Sequence, residues 1–330
     1  MVKVRKFFSA GCSSEGHYRS RNSADCTPST RTTFLFAYSN DFEPQVISDA
    51  LYSIISYLKI TSKFVKFANI RFDSLSADNI SYHDTIQSFN KSVLSNLPNS
   101  SLKFPDSSGS DTQNVLWSYL QTTEAPICGS RIMRLMKRYV TDSDANDLTN
   151  ALFDKHILLW TVYSTSNSGP DGMQTPVSIW VDGFNVLSDD VTYSTVATSA
   201  SAVAYYNNIL YTDMEHFISG KGSIDLPSVT TPSSDNKKVH AYFVISFQIT
   251  ADFDQLLSLN FHIKNGNMSF TQWNNVTGIG YHQSAFFGIV DLDPATEYDV
   301  SIDYEYAEDN GAPLDVRMYT DSPVPSWFHH

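Results

Sequence analysis

Charged residues are scarce in this sequence, and basic ones especially so. Charged side chains make up 17% of the 330 residues, and 35 acidic residues against 22 basic ones give a formal net charge of −13. Nucleic-acid binding depends on clustered Lys and Arg that contact phosphates, and only the Ser- and Arg-rich first 31 residues are set against a strongly acidic remainder of the chain. We therefore predict no nucleic-acid partner and a flexible leader over 1–30. Hydrophobic residues account for 42% of the chain, which is enough to form buried cores.

Long apolar runs are also missing. No stretch of about 18 apolar residues occurs, so the sequence predicts no transmembrane segment. The N-terminal sequence MVKVRKFFSAGCSS has a basic start, but its apolar stretch is too short for a signal peptide. We expect either that an export signal is missing from this sequence or that the protein stays inside the cell.

Cysteine is rare, and its odd count leaves the redox state open. Cys12, Cys26 and Cys128 fit one disulfide with a spare thiol, or three reduced thiols. N-glycosylation sequons, which permit a secreted protein without establishing one, occur at Asn79, Asn90, Asn99, Asn267 and Asn275.

The common catalytic motifs are absent. The sequence contains no G-x-S-x-G elbow, no P-loop and no H-E-x-x-H pair, and its nine histidines are scattered without ligand spacing. Carboxylates are so plentiful that choosing two for acid–base work would be arbitrary. We predict a protein that is not an enzyme and that needs no cofactor.

Strand-like and helix-like segments alternate through the first two thirds of the chain. The apolar run 33–38 is short and bounded, as a buried parallel strand should be, and residues 41–58 place apolar side chains at helical spacing. Further strands are predicted at 64–72, 132–136 and 157–163, and further helices at 83–97, 111–120 and 144–153. The alternation predicts an α/β fold class, with a doubly wound, mainly parallel sheet over 31–220.

The pattern changes after a segment rich in Gly, Pro and Ser at 220–236, which predicts a linker over 221–238. Beyond it, strand-like runs follow one another without a helical segment of useful length. We therefore predict an all-β sandwich domain at 239–322 and a short tail at 323–330.

Three segments together resemble a known family: FLFAYSND at 34–41, FANIRFD at 67–73 and APICGSRIMRLMKRY at 125–139. The first looks like the first strand and loop of a von Willebrand A domain. More narrowly, the set resembles a nematode family of secreted, von Willebrand A-like domains of unknown function, some of which precede C-type lectin domains. This resemblance covers roughly residues 26–320 and implies an extracellular, secreted protein.

In metal-binding von Willebrand A domains, the first loop carries Asp-x-Ser-x-Ser, a later loop a Thr and a third loop an Asp. The resemblance aligns Ala37 with the first Asp, followed by Ser39 and Asp41, and it aligns Ser110 with the Thr. A lost carboxylate predicts a degenerate site without a bound metal, because divalent cations such as Mg²⁺ prefer hard oxygen ligands.

The third loop of that motif carries cations instead of the expected Asp, namely Lys137 and Arg138. Only Asp41 and Asp111 then remain as weak metal candidates. An alternative is that Lys137 or Arg138 accepts an anionic ligand group where the metal would sit.

The same resemblance implies that the first and fourth strands are neighbours. Cys26 and Cys128 would then lie at one edge of the sheet, close enough for a disulfide. Cys12–Cys26 is the rival pairing, and three reduced thiols the remaining alternative. In the second half, LDPATEYDV at 292–300 resembles the corner before the sixth strand of fibronectin type III domains, which implies that the Tyr298 hydroxyl bonds back to the backbone above Leu292.

We predict a non-catalytic extracellular binding or adhesion module that recognises a protein or glycan through Ser39, Asp41, Ser110, Lys137 and Arg138. The first alternative is a structural secreted protein whose first domain serves only as a scaffold. The second is an adhesion domain that depends weakly on a metal despite the substitutions.

Overall fold

A computed structural model describes the chain from residue 26 to residue 327, except for 77, 141–145, 165, 171–183, 189–192, 207, 236–237, 247–254, 267, 276–284 and 308–310. Its strands are β1 (Thr32–Ser39), β2 (Phe64–Phe72), β3 (Ser81–His83), β4 (Arg131–Met136), β5 (Leu158–Ser164), β6 (Phe184–Ser188), β7 (Asn208–Ile218), β8 (Gly220–Thr230), β9 (Val239–Ser246), β10 (Leu256–Asn265), β11 (Met268–Asn275), β12 (Ala285–Leu292), β13 (Glu297–Tyr306) and β14 (Ala312–Thr320). Its helices are α1 (Pro44–Leu58), α2 (Ile86–Ser95), α3 (Thr112–Leu120), α4 (Asn146–Phe153) and α5 (Tyr193–Ala200), with a 3₁₀ turn at Ser100–Leu102 and a π-helical turn at Ser201–Tyr205. None of the helices in these ranges is long and apolar enough to cross a membrane.

The first sheet has the strand order β3-β2-β1-β4-β5-β6. Its strands pair in parallel, except that the edge strand β3 runs antiparallel to β2. All eight residues of β1 are buried, which explains its continuous apolar sequence. Because side chains alternate along a strand, Phe34 and Phe36 pack with Ile54 of α1 on one face, while Leu35 packs with Leu116 of α3 on the other.

Two four-stranded antiparallel sheets form the second half, with orders β11-β10-β13-β8 and β12-β9-β14-β7. Their facing side chains build a separate apolar core. Phe243 of β9 and Phe261 of β10 stack across this core, with ring centroids 4.2 Å apart. The two sheets therefore pack face to face as a sandwich.

The sandwich is joined to the first half through a continuous apolar contact. Tyr242 of β9 stacks on Tyr206 with ring centroids 5.1 Å apart, and Tyr319 of β14 lies 6.1 Å from Trp160 of β5. All four side chains belong to the core that also contains α1. The sheet that contains β9 and β14 is thus covered on both faces, by its partner sheet and by the first half of the chain.

The predicted fold class, α/β with a doubly wound von Willebrand A-like sheet before the sandwich, is wrong. The protein is mostly β, with 42% strand and 24% helix, and it combines antiparallel sheets with one mixed sheet. The sequence analysis missed β3, β7, β8 and β11, and it placed a linker over residues that form β8. The longest of these, β7 and β8, have 11 residues each and belong to the antiparallel sheets.

The missed strands lie at sheet edges, and this position explains the unusual sequence of β8. β8 reads GKGSIDLPSVT and pairs on one side only, with β13. Pro and Gly are tolerated in edge strands and at bulges, because some backbone N–H groups there form no hydrogen bond to a neighbouring strand. The β13–β8 register indeed shifts between Tyr298 and Val300, opposite Pro227. Residues that resemble a linker in composition therefore form a strand.

The disulfide between Cys26 and Cys128 is present, as predicted, with their Cα atoms 5.6 Å apart; Cys12 lies outside the described residues. Trp327 packs beside this disulfide. Trp327 donates a hydrogen bond from Nε1 to the carbonyl of Cys26 (3.1 Å) and stacks on His156 with ring centroids 4.5 Å apart. Part of the predicted tail is therefore docked onto the first half of the chain.

The corner before β13 has the predicted hydrogen bond. The hydroxyl of Tyr298 accepts a hydrogen bond from the backbone N–H of Asp293 (2.8 Å), and Leu292 is fully buried beside it. This bond fixes the turn between β12 and β13.

Substitution of Gly129 tests the docking of the chain end. Gly129 has a φ of +63°, and a Cβ atom added there would lie 2.5 Å from the ring of Trp327. We expect Gly129→Ala to lower the free energy of unfolding by about 1–3 kcal/mol, since it combines a strained backbone with a steric clash. Urea denaturation gives the change directly.

The control is Gly266→Ala, because a Cβ atom at Gly266 meets nothing within 4 Å. We expect it to leave stability unchanged within about 0.5 kcal/mol. Equal stabilities of the two variants would contradict the contact between Gly129 and Trp327.

Candidate functional site

The candidate site lies at the carboxyl edge of the first sheet, where ligands usually bind in open sheets of parallel strands. The loops that follow β1, β2 and β4 meet there, together with the loop that precedes α3. These loops carry the residues of interest: Ser39 and Asp41, then Asp73, then Ser110 and Asp111, and finally Lys137 and Arg138.

Arg138 is the centre of this arrangement. Its Nε lies 2.8 Å from Oδ2 of Asp41 and its Nη2 lies 3.2 Å from Oδ1, which makes a bidentate ion pair with both side chains fully buried. Nη1 donates to the carbonyls of Pro105 and Ser108, and Nη2 donates a longer bond to the carbonyl of Phe104. Every nitrogen of the guanidinium therefore has an acceptor within the chain.

The loop after β5 closes over this ion pair. A Cβ atom on Gly169 would lie 2.6 Å from Cγ of Arg138 and 3.0 Å from the carbonyl of Ser108, so the close packing requires glycine. Asn167 holds the same loop, because its Oδ1 accepts from the backbone N–H of Gly169 (3.1 Å) and of Tyr139 (3.4 Å). Arg138 and Asp41 are thus sealed from solvent and are not available to an incoming ligand.

Asp73 is a central residue that the sequence analysis did not select. It follows β2 with a φ of 58° and is fully buried. Its Oδ2 accepts a hydrogen bond from the Ser39 hydroxyl (2.6 Å). Asp73 and Asp111 also hold each other, since the backbone N–H of each donates to Oδ1 of the other, at 2.9 and 3.2 Å. One feature of the sequence could have identified Asp73: it is the last residue of FANIRFD and follows a predicted buried strand.

Burial raises the pKa of Asp73 to about 7, against the opposing effect of hydrogen bonds from Ser39 and Ser110. The negative charges of Asp111 and Asp41 raise it further. A second buried cation lies nearby: Arg134 donates from Nε and Nη2 to the hydroxyl of Thr161, at 3.1 and 2.9 Å. Burial lowers the pKa of Arg134, and the charge of Asp73 opposes that change.

The remaining predicted residues are partly exposed. Ser110 donates its backbone N–H to the carbonyl of Tyr139 (2.9 Å), and its hydroxyl accepts from the N–H of Thr112 (3.3 Å). The Nζ of Lys137 lies 5.9 Å from the centroid of the Phe42 ring. Sequence reasoning thus placed all five residues at one edge, but only Ser110 and Lys137 are accessible.

The metal candidates Asp41 and Asp111 are used for other contacts. Asp41 pairs with Arg138, and Asp111 accepts from the backbone of Asp73. In the part of the chain that the structure describes, no group of three or more His, Cys, Asp and Glu side chains is arranged to hold a metal ion.

Comparisons with known proteins give one family and several distant structures. A family model described as a domain of unknown function (DUF7154) matches residues 215–321, which is less than half of the chain. No curated protein matches.

Among solved structures, the human COPII-coat protein Sec24c is 7% identical, with 89% of this chain and 44% of that chain covered and a TM-score of 0.33. The chain therefore spans less than half the length of Sec24c. A carbohydrate-binding module from Cellvibrio mixtus lichenase 5A, in complex with cellotriose, is 15% identical over 34% of this chain and 97% of its own, with a TM-score of 0.20. The P-domain of Macrobrachium rosenbergii nodavirus is 8% identical over 34% and 88%, with a TM-score of 0.21. Similarity at this level supports no statement about function.

The buried ion pair makes a prediction about stability. We expect Arg138→Met to lower the free energy of unfolding by about 3–5 kcal/mol, because it leaves the buried Asp41 carboxylate without its cation. The double variant Arg138→Met/Asp41→Leu should recover part of that loss, since it removes both charges. Chemical denaturation of the three proteins measures both effects.

The matched control is Lys221→Met, which breaks the exposed pair between Lys221 and Glu305, with 78% and 41% of the side chains accessible. Exposed pairs contribute only about 0–1 kcal/mol, so we expect a small change. A loss in Arg138→Met as small as in this control would show that the ion pair is not buried in solution.

A second prediction concerns pH. The pKa of Asp73, about 7 in the folded protein, is above its ordinary value, so the folded state binds more protons than the unfolded state across the interval between the two. Asp73 therefore contributes most to stability at acid pH, and that contribution declines as pH rises towards 7. We expect Asp73→Asn to lack this decline, so that its stability relative to the wild type improves between about pH 4 and 8.

Urea denaturation at several pH values measures this trend. Asp106→Asn is the control, because the Asp106 side chain is 83% exposed. Its curve should run parallel to that of the wild type. If the Asp73→Asn curve also runs parallel, Asp73 is ionised in the fold like an ordinary carboxylate.

Proposed function

We propose that this chain is a non-catalytic extracellular module that binds a protein or glycan partner without a metal ion. The observation that carries the proposal is the buried ion pair between Arg138 and Asp41. In the metal-binding domains that the first half resembles in sequence, oxygen ligands at this edge of the sheet hold a divalent cation. Here a guanidinium of the chain itself supplies the positive charge, and its hydrogen bonds are already made.

The buried polar groups at this edge already have hydrogen-bond partners within the chain, which argues against a catalytic role for them. Asp73 accepts from the Ser39 hydroxyl and from the backbone of Asp111, and it is fully buried. A general base must reach the proton that it abstracts, and Asp73 is enclosed by its partners. We therefore assign it a structural role, in which it joins the loops after β1 and β2 to the start of α3.

An extracellular location agrees with the disulfide and with the sequons. Disulfides persist mainly in oxidising compartments, and the Cys26–Cys128 bond closes a separation of 102 residues. Asn79 and Asn99 are exposed and Asn90 is half-buried, so these sequons present accessible side chains, whereas those of Asn267 and Asn275 lie outside what the structure describes. The resemblance to a secreted nematode family supports the same location.

A structural secreted protein is the second candidate, and the contact between the two halves favours it. Trp160 and Tyr319 belong to one continuous core, so the first half and the sandwich pack together as one unit. On this alternative no single surface would be sensitive to substitution. Alanine variants spread over the exposed residues would each change binding only slightly.

Thermal unfolding in a chelator and in an excess of Mg²⁺ or Ca²⁺ tests independence from metal. We expect the same melting temperature in all three conditions. A bound ligand at 100 times its dissociation constant adds about 2.7 kcal/mol, which corresponds to a rise of roughly 5–10 °C for about 200 residues. A rise of that size with either cation would overturn the proposal and support the weak metal-dependent adhesion domain.

A further inference from the structure

The three sequons with described side chains differ in their surroundings. Asn90 is half-buried within α2. Asn79 is exposed, but Ser81, the last residue of its sequon, is half-buried in β3. In the sequon that begins at Asn99, all three residues are exposed. An N-linked glycan is bulky and belongs on the surface, so the sequon at 99–101 is the one whose whole length suits such a group.

The backbone of Asn99 is held in place by a buried side chain. Asn40, which follows β1 and is 3% exposed, donates from Nδ2 to the carbonyl of Asn99 (3.1 Å). Its Oδ1 accepts from the backbone N–H of the same residue (2.8 Å). Because β1 ends at Ser39, these two bonds fix Asn99 at the carboxyl edge of the first sheet. Asn99 is thus anchored through its backbone while its side chain stays at the surface.

The side-chain amide of Asn99 is oriented by the last residue of its own sequon. Its Oδ1 accepts from the backbone N–H of Ser101 (3.0 Å) and from the Ser101 hydroxyl (2.8 Å). A backbone N–H can only donate, so the accepting atom is the amide oxygen and the other atom is Nδ2. This Nδ2 makes no hydrogen bond to a described residue. It is the atom to which an N-linked glycan is attached.

We infer that Asn99 carries an N-linked glycan at the carboxyl edge of the first sheet. This inference rests on the extracellular location in the proposed function and goes beyond it, since it names the modified atom. The donor is a lipid-linked oligosaccharide diphosphate of the secretory pathway. A bond forms between Nδ2 and C1 of the oligosaccharide, the bond from C1 to the diphosphate oxygen breaks, the lipid diphosphate leaves and Nδ2 loses one proton to a base.

Peptide mapping of the full chain, exported from eukaryotic cells behind a cleavable secretion signal, tests the inference. Trypsin cleaves after Lys91 and Lys103, so the peptide 92–103 contains Asn99 in its only sequon. Peptide-N-glycosidase removes the glycan and converts the glycosylated asparagine to aspartate. We expect this conversion at Asn99 in most of the exported chains.

Substitutions within the sequon test its role. We expect Asn99→Gln and Ser101→Ala each to lose one glycan, because the first removes the acceptor asparagine and the second removes the hydroxyl that the sequon requires. Ser100→Ala and Ser101→Thr are matched controls, since both preserve the sequon, and both should keep the glycan. Intact masses of the exported proteins, before and after the glycosidase, measure the difference. Loss of the glycan in Ser100→Ala as well would contradict recognition of this sequon.

The possible failures separate this inference from the proposed function. An unmodified peptide 92–103 from exported protein that contains the Cys26–Cys128 disulfide would overturn the inference and leave the proposed function standing. Conversion at Asn79 or Asn90 without conversion at Asn99 has the same meaning. If the chain instead folds inside the cell with Cys26 and Cys128 reduced and is not exported, the extracellular location fails, and the inference and the proposed function fail with it.

Discussion

The edge of the first sheet depends on one buried ion pair, between residues that are 97 positions apart. Asp41 belongs to the loop after β1 and Arg138 to the loop after β4, so their bidentate contact joins two neighbouring parallel strands at their carboxyl ends. The guanidinium also donates to carbonyls at Pro105 and Ser108, which fixes the loop before α3. Gly169 then packs on the stem of Arg138. Four loops are positioned by a single side chain.

The charges around this pair are balanced within the chain. Asp73 is enclosed by hydrogen bonds and lies near Asp41 and Asp111, and its pKa rises because ionisation would add a further negative charge to a buried region. Arg134 is a second buried cation, and its field favours the ionised form of Asp73. A divalent metal would neutralise such a carboxylate cluster, and here arginine provides that compensation.

The sequence was sufficient to predict the elements with strong apolar patterns. The run at 33–38, the helix with apolar residues at 47, 51, 54 and 58, and the strand at 157–163 all lie where they were expected. β8 escaped prediction because an edge strand pairs on one side, so its sequence accommodates Gly220, Gly222 and Pro227 without losing the fold. β7 contains neither Gly nor Pro, so its omission does not have this explanation. Those two strands belong to antiparallel sheets, and their omission is one reason why the predicted fold class was wrong.

The candidate site was predictable in its location but not in its chemistry. The loops at the carboxyl edge were identified through the resemblance to metal-binding von Willebrand A domains, and this location agrees with the crevice in which open sheets of parallel strands bind ligands. Whether Arg138 points outward to a ligand or inward to Asp41 depends on loop conformations that no local pattern encodes. Two cations in sequence, Lys137 and Arg138, therefore have different surroundings, one half-buried near Phe42 and the other sealed in an ion pair. The same reasoning applies to Asp73, whose left-handed backbone turns its carboxylate towards Ser39 and away from solvent.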